Sequence, residues 1–208
     1  MAKNNDIILV CGGSCSGKTT LAKGLCRALK KYGTSEVISM DNYYHDLSDW
    51  DPVEADNKNF DAPEAIDSSL LYKHLKMLQE GIKIPDREYD FKTHIITELG
   101  TYTEAADFIV VEGIFAMYFE DVRNLSSVKF FLQADADIRL ARRVERDIKE
   151  RRLPVDLVIR QYLNDVRPSE REFIEPYSKH ADLVINSNES LPKDNLDTAI
   201  NYLEKHLI

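Results

Sequence analysis

Apolar residues recur along this chain with two different periods. Short unbroken runs, such as Ile7-Ile8-Leu9-Val10-Cys11 and Phe108-Ile109-Val110-Val111, alternate with stretches in which apolar positions return every three or four residues. The first pattern predicts strands buried on both faces, and the second predicts helices with one buried face. Strands are expected at 7–11, 36–40, 108–111, 128–132 and 183–185. A helix is expected over about 18–32, stopped near Gly33, and another over 67–80. In the second, Asp67 is placed to cap, Leu70, Leu71, Leu75 and Leu78 share a face, and Gly81 ends the run. Further helices run from Asp135 or Asp137 to about 150, from 155 to 166 beyond the break at Pro154, and over 193–207. Two extended pieces, 84–91 and 95–102, read as a hairpin standing away from the main sheet. Residues 45–65 are acidic, poor in aliphatic side chains and carry Pro52 and Pro63, which predicts a long loop over the functional edge. The alternation of strands and helices predicts an α/β fold with a doubly wound, mainly parallel sheet. The 208 residues suit a single domain, 1–208, with no repeat and no linker rich in Pro, Gly or Ser.

The turn after the first strand adds chemistry. Gly12-Gly13-Ser14-Cys15-Ser16-Gly17-Lys18-Thr19 matches G-x-x-x-x-G-K-[ST] between a buried strand and a helix that continues with Thr20. The glycines let backbone N–H groups converge on phosphate oxygens, and the helix N-terminus adds the positive end of its dipole. Lys18 can reach the β and γ phosphates, and Thr19 offers a hydroxyl to Mg²⁺. A plain strand-to-helix turn is the bland alternative; the full pattern with both flanks predicts a nucleoside triphosphate site.

Charge then limits the partners. A net charge of −9 argues against nucleic acid or an anionic membrane surface as the main partner. No apolar run approaches a membrane span and no signal peptide precedes the first strand, so a cytoplasmic location is expected. Cys11, Cys15 and Cys26 lie close together near the start, and Cys15 and Cys26 read as reduced thiols rather than a disulfide framework. Against this acidic background, six arginines lie between Arg139 and Arg152, which suits a small anionic ligand. Arg139, Arg142 or Arg143, and Arg146 fall at helical spacing, and Arg151 and Arg152 follow at the break. Guanidinium groups bind phosphate through paired, charge-assisted hydrogen bonds. A segment closing over a triphosphate would bring them to the γ-phosphate and exclude water, with Arg143, Arg146 and Arg151 as the candidates. Glu145, Asp147 and Glu150 are interleaved at pairing distance, so part of this face can equally be a solvated surface.

Two acids end predicted strands. Glu112 closes the run 108–111, where a carboxylate reaches Mg²⁺ directly or through water, or is simply a solvated strand end. Asp41 closes the second strand, expected next to the first, at the carboxyl edge where open sheets bind ligands. There it can accept a proton from an attacking hydroxyl or serve as a turn residue before Asn42. Tyr89 and Phe91 share one strand face on the hairpin, where they could sandwich a planar base or pack the sheet. His94 comes just after them, and a lone histidine is as readily structural.

Taken together, several segments resemble uridine–cytidine kinases, in order and at similar spacing from about 7 to 185. They are the phosphate loop, Asp41-Asn42-Tyr43-Tyr44, Asn59-Phe60-Asp61 through Asp67, Tyr89-Asp90-Phe91 with His94, Val111-Glu112-Gly113-Ile114, Asp135 through Arg143, and Tyr177 to Asp182. The resemblance implies a sheet of the P-loop nucleoside triphosphate hydrolase type, a small β-hairpin over the acceptor site at about 84–103 and a helical lid at about 139–165. It implies transfer of the γ-phosphate of ATP or GTP to the 5′-hydroxyl of uridine or cytidine. By matching position, Asp41 would be the base, with Lys18 and Arg146 at the transferred phosphate, and Thr19, Asp41 and Glu112 would surround Mg²⁺. The loop from Gly12 to Thr20 and Arg151 would hold the triphosphate. Asp61 would hold the ribose hydroxyls, and Tyr44, Tyr89, Phe91, His94, Arg143, Arg146 and Gln161 would face the nucleoside. The resemblance also implies a homo-oligomer, tetramer or dimer.

The chain departs from that pattern in three places. Where the family commonly reads Glu-Arg-Gly-Arg, this sequence has Glu150-Arg151-Arg152-Leu153. Asp86-Arg87-Glu88 lengthens the approach to Tyr89 by about two residues, and Cys15 replaces a usual glycine. These changes lie nearer the acceptor and lid than the transfer chemistry, so a P-loop kinase acting on phosphoribulose, pantothenate or another small alcohol is the second reading. A nucleotide-dependent switch is the third. The chain has neither the Asn-Lys-x-Asp motif of GTPases nor the Ser-Gly-Gly signature of ABC modules.

Overall fold

The computed structural model describes residues 5–51, 58–189 and 192–208. Pro52 and part of the acidic loop expected over 45–65 lie outside the described residues, as do residues 1–4. Strands β1 (Asp6–Gly12), β2 (Ser35–Ser39), β5 (Phe108–Glu112), β6 (Val128–Gln133) and β7 (Leu183–Asn186) form one parallel sheet. Its order is β2-β5-β1-β6-β7. The apolar runs become strands because helices cover both faces, leaving no polar side for an alternating pattern. Ile7, Leu9 and Cys11 pack on one face with Leu71, Leu75, Leu78 and Phe115. Ile8 and Val10 pack on the other with Leu21, Leu25, Leu29, Ala199 and Leu203.

The strand order corrects one expectation. Asp41 is expected on a strand adjoining the first, but β5 lies between β2 and β1. The crossover through α1 (Lys18–Leu29) skips a position that β5 fills later. In register, Glu112 lies beside Val10 on one side and Ser39 on the other. The acid of β5 is thereby central to the carboxyl edge.

Helix α2 (Ser68–Gln79) starts where Asp67 Oδ1 accepts from the Leu70 N–H at 2.9 Å, as its capping position predicts. A short helix, α3 (Glu120–Asn124), has no counterpart among the elements that periodicity predicts. Helix α4 (Ala136–Lys149) carries most of the arginines, and α5 (Val155–Gln161) follows the break at Pro154. The chain then stays helical well past 166, the predicted end of that helix. Two π-type turns, Tyr162–Val166 and Glu170–Ile174, flank an α turn at Arg167–Ser169. Pro168 lies inside this continuous run, between the two π-type turns where the hydrogen-bond ladder departs from the α pattern. Helix α6 (Pro192–His206) closes the described chain.

Strands β3 (Ile84–Asp90) and β4 (Ile95–Thr103) form a separate antiparallel hairpin. A register shift between Pro85 and Arg87 sets three β4 residues, 99–101, opposite Asp86 alone, so the bulge lies on β4 and not at the longer approach to Tyr89. The hydroxyls of Thr101 and Thr103 each donate to the Asp86 carboxylate at 2.6 Å and hold the bulge. Among the described residues no helix is long and apolar enough to cross a membrane.

Candidate active site

The phosphate loop is shaped by contacts that few side chains would permit. Gly17 has φ 98°, a left-handed conformation that glycine adopts without cost. A Cβ on Gly13 would collide with the ion pair between Arg139 and Glu170, both buried, which braces the loop from behind. Arg139 shares its helical spacing with Arg143 and Arg146, but it is committed here, its Nε donating to the Ala134 carbonyl at 2.9 Å. Cys15 adopts φ 61°, a conformation that explains why a glycine is usual at its position. All three cysteines are free. Lys18 is buried, its Nζ donating to the Gly13 carbonyl at 2.9 Å. That contact holds the ammonium over the loop.

Oxygen atoms gather beside it. Buried Glu112 accepts from Thr19 Oγ1 at 3.1 Å and from Ser39 Oγ at 2.9 Å. Asp41 is the second residue of the 3₁₀ turn Met40–Tyr43, which follows β2, and it borders the cavity. Burial, and after it the negative charge of Glu112, pushes the Asp41 carboxyl up to about 6, against the pull of Lys18, Arg151 and Arg146. Two carboxylates and two hydroxyls form a hard, all-oxygen set, the kind that suits Mg²⁺ completed by water and phosphate oxygens. Among the described residues no cluster of three or more His, Cys, Asp or Glu is placed to bind a metal by itself. The donor set therefore fits a cation that arrives with its phosphates.

The arginine face differs from a solvated surface. Asp147 is fully buried and carries Arg146, with Nε and Nη2 each 2.8 Å from Oδ1. Arg143 Nε lies 3.3 Å from Oδ2 and Arg151 Nε 3.6 Å from Oδ1. Arg143 also donates from Nη1 to Ser14 Oγ in the phosphate loop at 3.2 Å. Arg142 turns away and donates to the carbonyls of Ser187 and Asn188. Glu145 and Lys149, by contrast, pair as exposed surface charges. The sequence does not reveal the role of Asp147, because acids four residues from arginines look alike whether buried or solvated.

On the acceptor side the rings form a cluster rather than a sandwich. Tyr89 and Phe91 meet edge to face, centroids 5.2 Å apart at 85°, so they do not clasp a planar base between them. The reason is position: Tyr89 is buried against Tyr44, while Phe91 lies just past the end of β3 and is partly exposed. The parallel pair is Phe60 with His94, 4.5 Å apart at 12°. His94 is held by the Tyr89 hydroxyl, 3.1 Å from its Nδ1. Asp61 faces the same space, its carboxyl raised chiefly by burial and drawn down by Arg143.

Floor and wall enclose one cavity of about 1590 Å³. Every candidate site residue borders it except Gly12, Gly13 and Ser16, which lie behind the loop surface. Gln161 and Thr20 thus share a space with Asp41, Glu112 and Tyr89. Volume and lining suit a triphosphate meeting a small polar acceptor.

Residues 7–192 match the model of the phosphoribulokinase/uridine kinase family. A protein named uridine kinase from Brevibacillus brevis is 42% identical over 182 residues, which is 88% of this chain and 85% of that protein. One of the same name from Clostridium tetani is 40% identical over 89% of this chain and 88% of its own length. The structure of phosphoribulokinase from Rhodobacter spheroides covers 92% of this chain, and 74% of its own length, with a TM-score of 0.64 and 16% identity, a likeness of fold alone. With that family model over residues 7–192 and relatives about 40% identical over most of the chain, the chain belongs to the phosphoribulokinase/uridine kinase family.

Proposed function

We propose that this protein transfers the γ-phosphate of ATP to the 5′-hydroxyl of a pyrimidine nucleoside, uridine or cytidine. The observation that carries the reading is the place of Asp41, in one cavity with the phosphate loop on one side and the Tyr44, Phe60 and Tyr89 cluster on the other. Relatives named uridine kinase, about 40% identical over most of the chain, support the choice of acceptor.

The backbone amides of the loop, with Lys18, would grip the triphosphate tail. Arg146 and Arg151 would neutralise charge on the transferred group, and Arg143 would bridge it to the acceptor side. Thr19, Glu112 and Asp41 would hold Mg²⁺, which when bound draws charge from the β and γ oxygens. The acceptor would enter between Phe60, Tyr89 and the helical wall, with Asp61 on its ribose hydroxyls. Asp41 would take the proton of the attacking hydroxyl, a contribution of roughly 10²–10⁴ in rate. Its elevated pKa improves its match to that task, and ionisation at neutral pH keeps it competent. Closure of 139–165 over the site would exclude water, so that transfer outruns hydrolysis.

The deciding experiment is ADP release and product analysis with uridine, cytidine, purine nucleosides, pantothenate and ribulose 5-phosphate in parallel. Uridine or cytidine should give the highest kcat/KM, with the phosphate on the 5′-oxygen. Turnover with pantothenate or ribulose 5-phosphate alone rejects the acceptor while keeping the phosphoryl-transfer chemistry.

A further inference from the structure

Three arginines on the cavity wall share one counter-ion. Asp147 lies on α4 with no solvent exposure, and it meets each guanidinium at its inner, Nε edge. The outer edges are left for other partners. Arg143 reaches Ser14 in the phosphate loop at 3.2 Å, and the Arg151 guanidinium lies over the Phe91 ring at 4.4 Å from its centre. Through Asp147 the donor loop and the acceptor hairpin are therefore connected. Its backbone takes part as well: the Asp147 carbonyl accepts from the N–H groups of Arg151 at 3.2 Å and Leu153 at 3.1 Å. That bond to Leu153 closes the end of α4 and fixes the turn that carries Arg151.

Three guanidinium groups gathered this closely repel one another, and long side chains lose rotamer freedom when held together. A single buried carboxylate among them offsets the repulsion and selects one arrangement. Resting on the proposed phosphoryl transfer at this site, we propose that Asp147 is a positioning residue for it, its carboxylate fixing Arg143, Arg146 and Arg151 as one unit on the terminal phosphate. Asp147 touches no reacting atom. Its effect is to hold cations where charge develops and to keep water from taking the acceptor's place.

Asp147→Asn tests this, since it keeps the shape, removes the charge and turns an NH₂ toward the guanidinium donors. In the wild type, ADP released should equal nucleotide product formed. In the variant, kcat should fall roughly 10–100-fold, the loss of one or two charge-assisted hydrogen bonds. ADP should now exceed product by about 2-fold or more as water competes. A second measurement needs no acceptor: the preference for a non-hydrolysable ATP analogue over ADP, taken from the two Kd values, should drop by about 10-fold. The Kd of ADP itself should change little. A purely structural role would lower the folded fraction and leave both ratios as they are. Asp147→Glu keeps the charge on a longer arm; it should fold and move both ratios in the same direction by less, so it carries the test if the Asn variant does not fold. Wild-type ratios in the folded variants overturn the proposal. If the wild type makes no uridine or cytidine monophosphate, the acceptor reading fails instead, and the Kd ratio still decides the role of Asp147.

Discussion

The floor of the cavity and its upper wall are built by opposite means. The floor is β1, the phosphate loop and β5, where every β5 side chain is buried and only the first residue of β1 is partly exposed. Dispersion contacts and backbone ladders lock it, so that one added methyl at Gly13 would have nowhere to go. The wall is the β3–β4 hairpin and the helical segment from α4 onward. Most of β4 is exposed, and the wall is joined to the rest by ring edges and by guanidinium groups. On the proposed function, rigid geometry would serve the triphosphate and adjustable contacts the acceptor.

The sharpest way to break this comparison is Asp41→Asn, at the junction of the two. kcat should fall by roughly 10²–10⁴ while the Kd for ATP measured without Mg²⁺ changes by less than about 3-fold, because a base at this position would act in the transition state. Unchanged kcat would remove Asp41 from the chemistry. Gly13→Ala should be next in size. Its Cβ would drive apart the buried Arg139–Glu170 pair, costing on the order of 3 kcal/mol of stability, read by denaturant unfolding. A tolerated alanine would mean that the floor is far softer than its packing implies.

A smaller effect concerns pH. Asp41 in the folded protein titrates near 6, above its ordinary value of 3.8. The folded state therefore binds that proton more tightly, so the stabilisation is present below about pH 4 and is lost as pH rises through about 6. Metal-free protein in EDTA should show this loss between about pH 4 and 6 in thermal scans, Asp41→Asn should abolish it, and Mg²⁺ with ATP should offset it. A flat profile in all cases would contradict the crowding of Asp41 and Glu112. The smallest effect belongs to the wall. Arg152 holds φ 57° at the end of α4, and Arg152→Gly should raise stability by about 1 kcal/mol. A loss of stability on that change would show that the turn is held by the side chain and not by its backbone.

Much of this is legible in the residues. The five sheet strands announce themselves as apolar runs, and the phosphate loop by spacing, because both are local signals. Strand order is not, since nothing in the periods of β1, β2 and β5 says which pairs with which; Asp41 is accordingly expected one strand too close. Asp147 is hidden for a different reason. Its spacing from Arg143 and Arg151 suits an exposed helix face equally well, and only the folded chain shows it without solvent exposure between them. The helical run past Pro168 is hidden too, because π turns rearrange hydrogen bonds in a way that residue identity does not signal. The edge-to-face meeting of Tyr89 and Phe91 comes from where β3 stops, a boundary that alternation alone leaves open by a residue or two.

The place of β5 bears on how the chain is made. Neither β1 nor β2 finds its neighbour until residues 108–112 have been synthesised, so the first half of the polypeptide leaves the ribosome with two apolar strands and open edges. Half the enzyme must wait for the other half, and the waiting segment is the one most exposed to misassembly. Chaperone demand during synthesis should therefore peak before that fifth strand appears and fall once it docks.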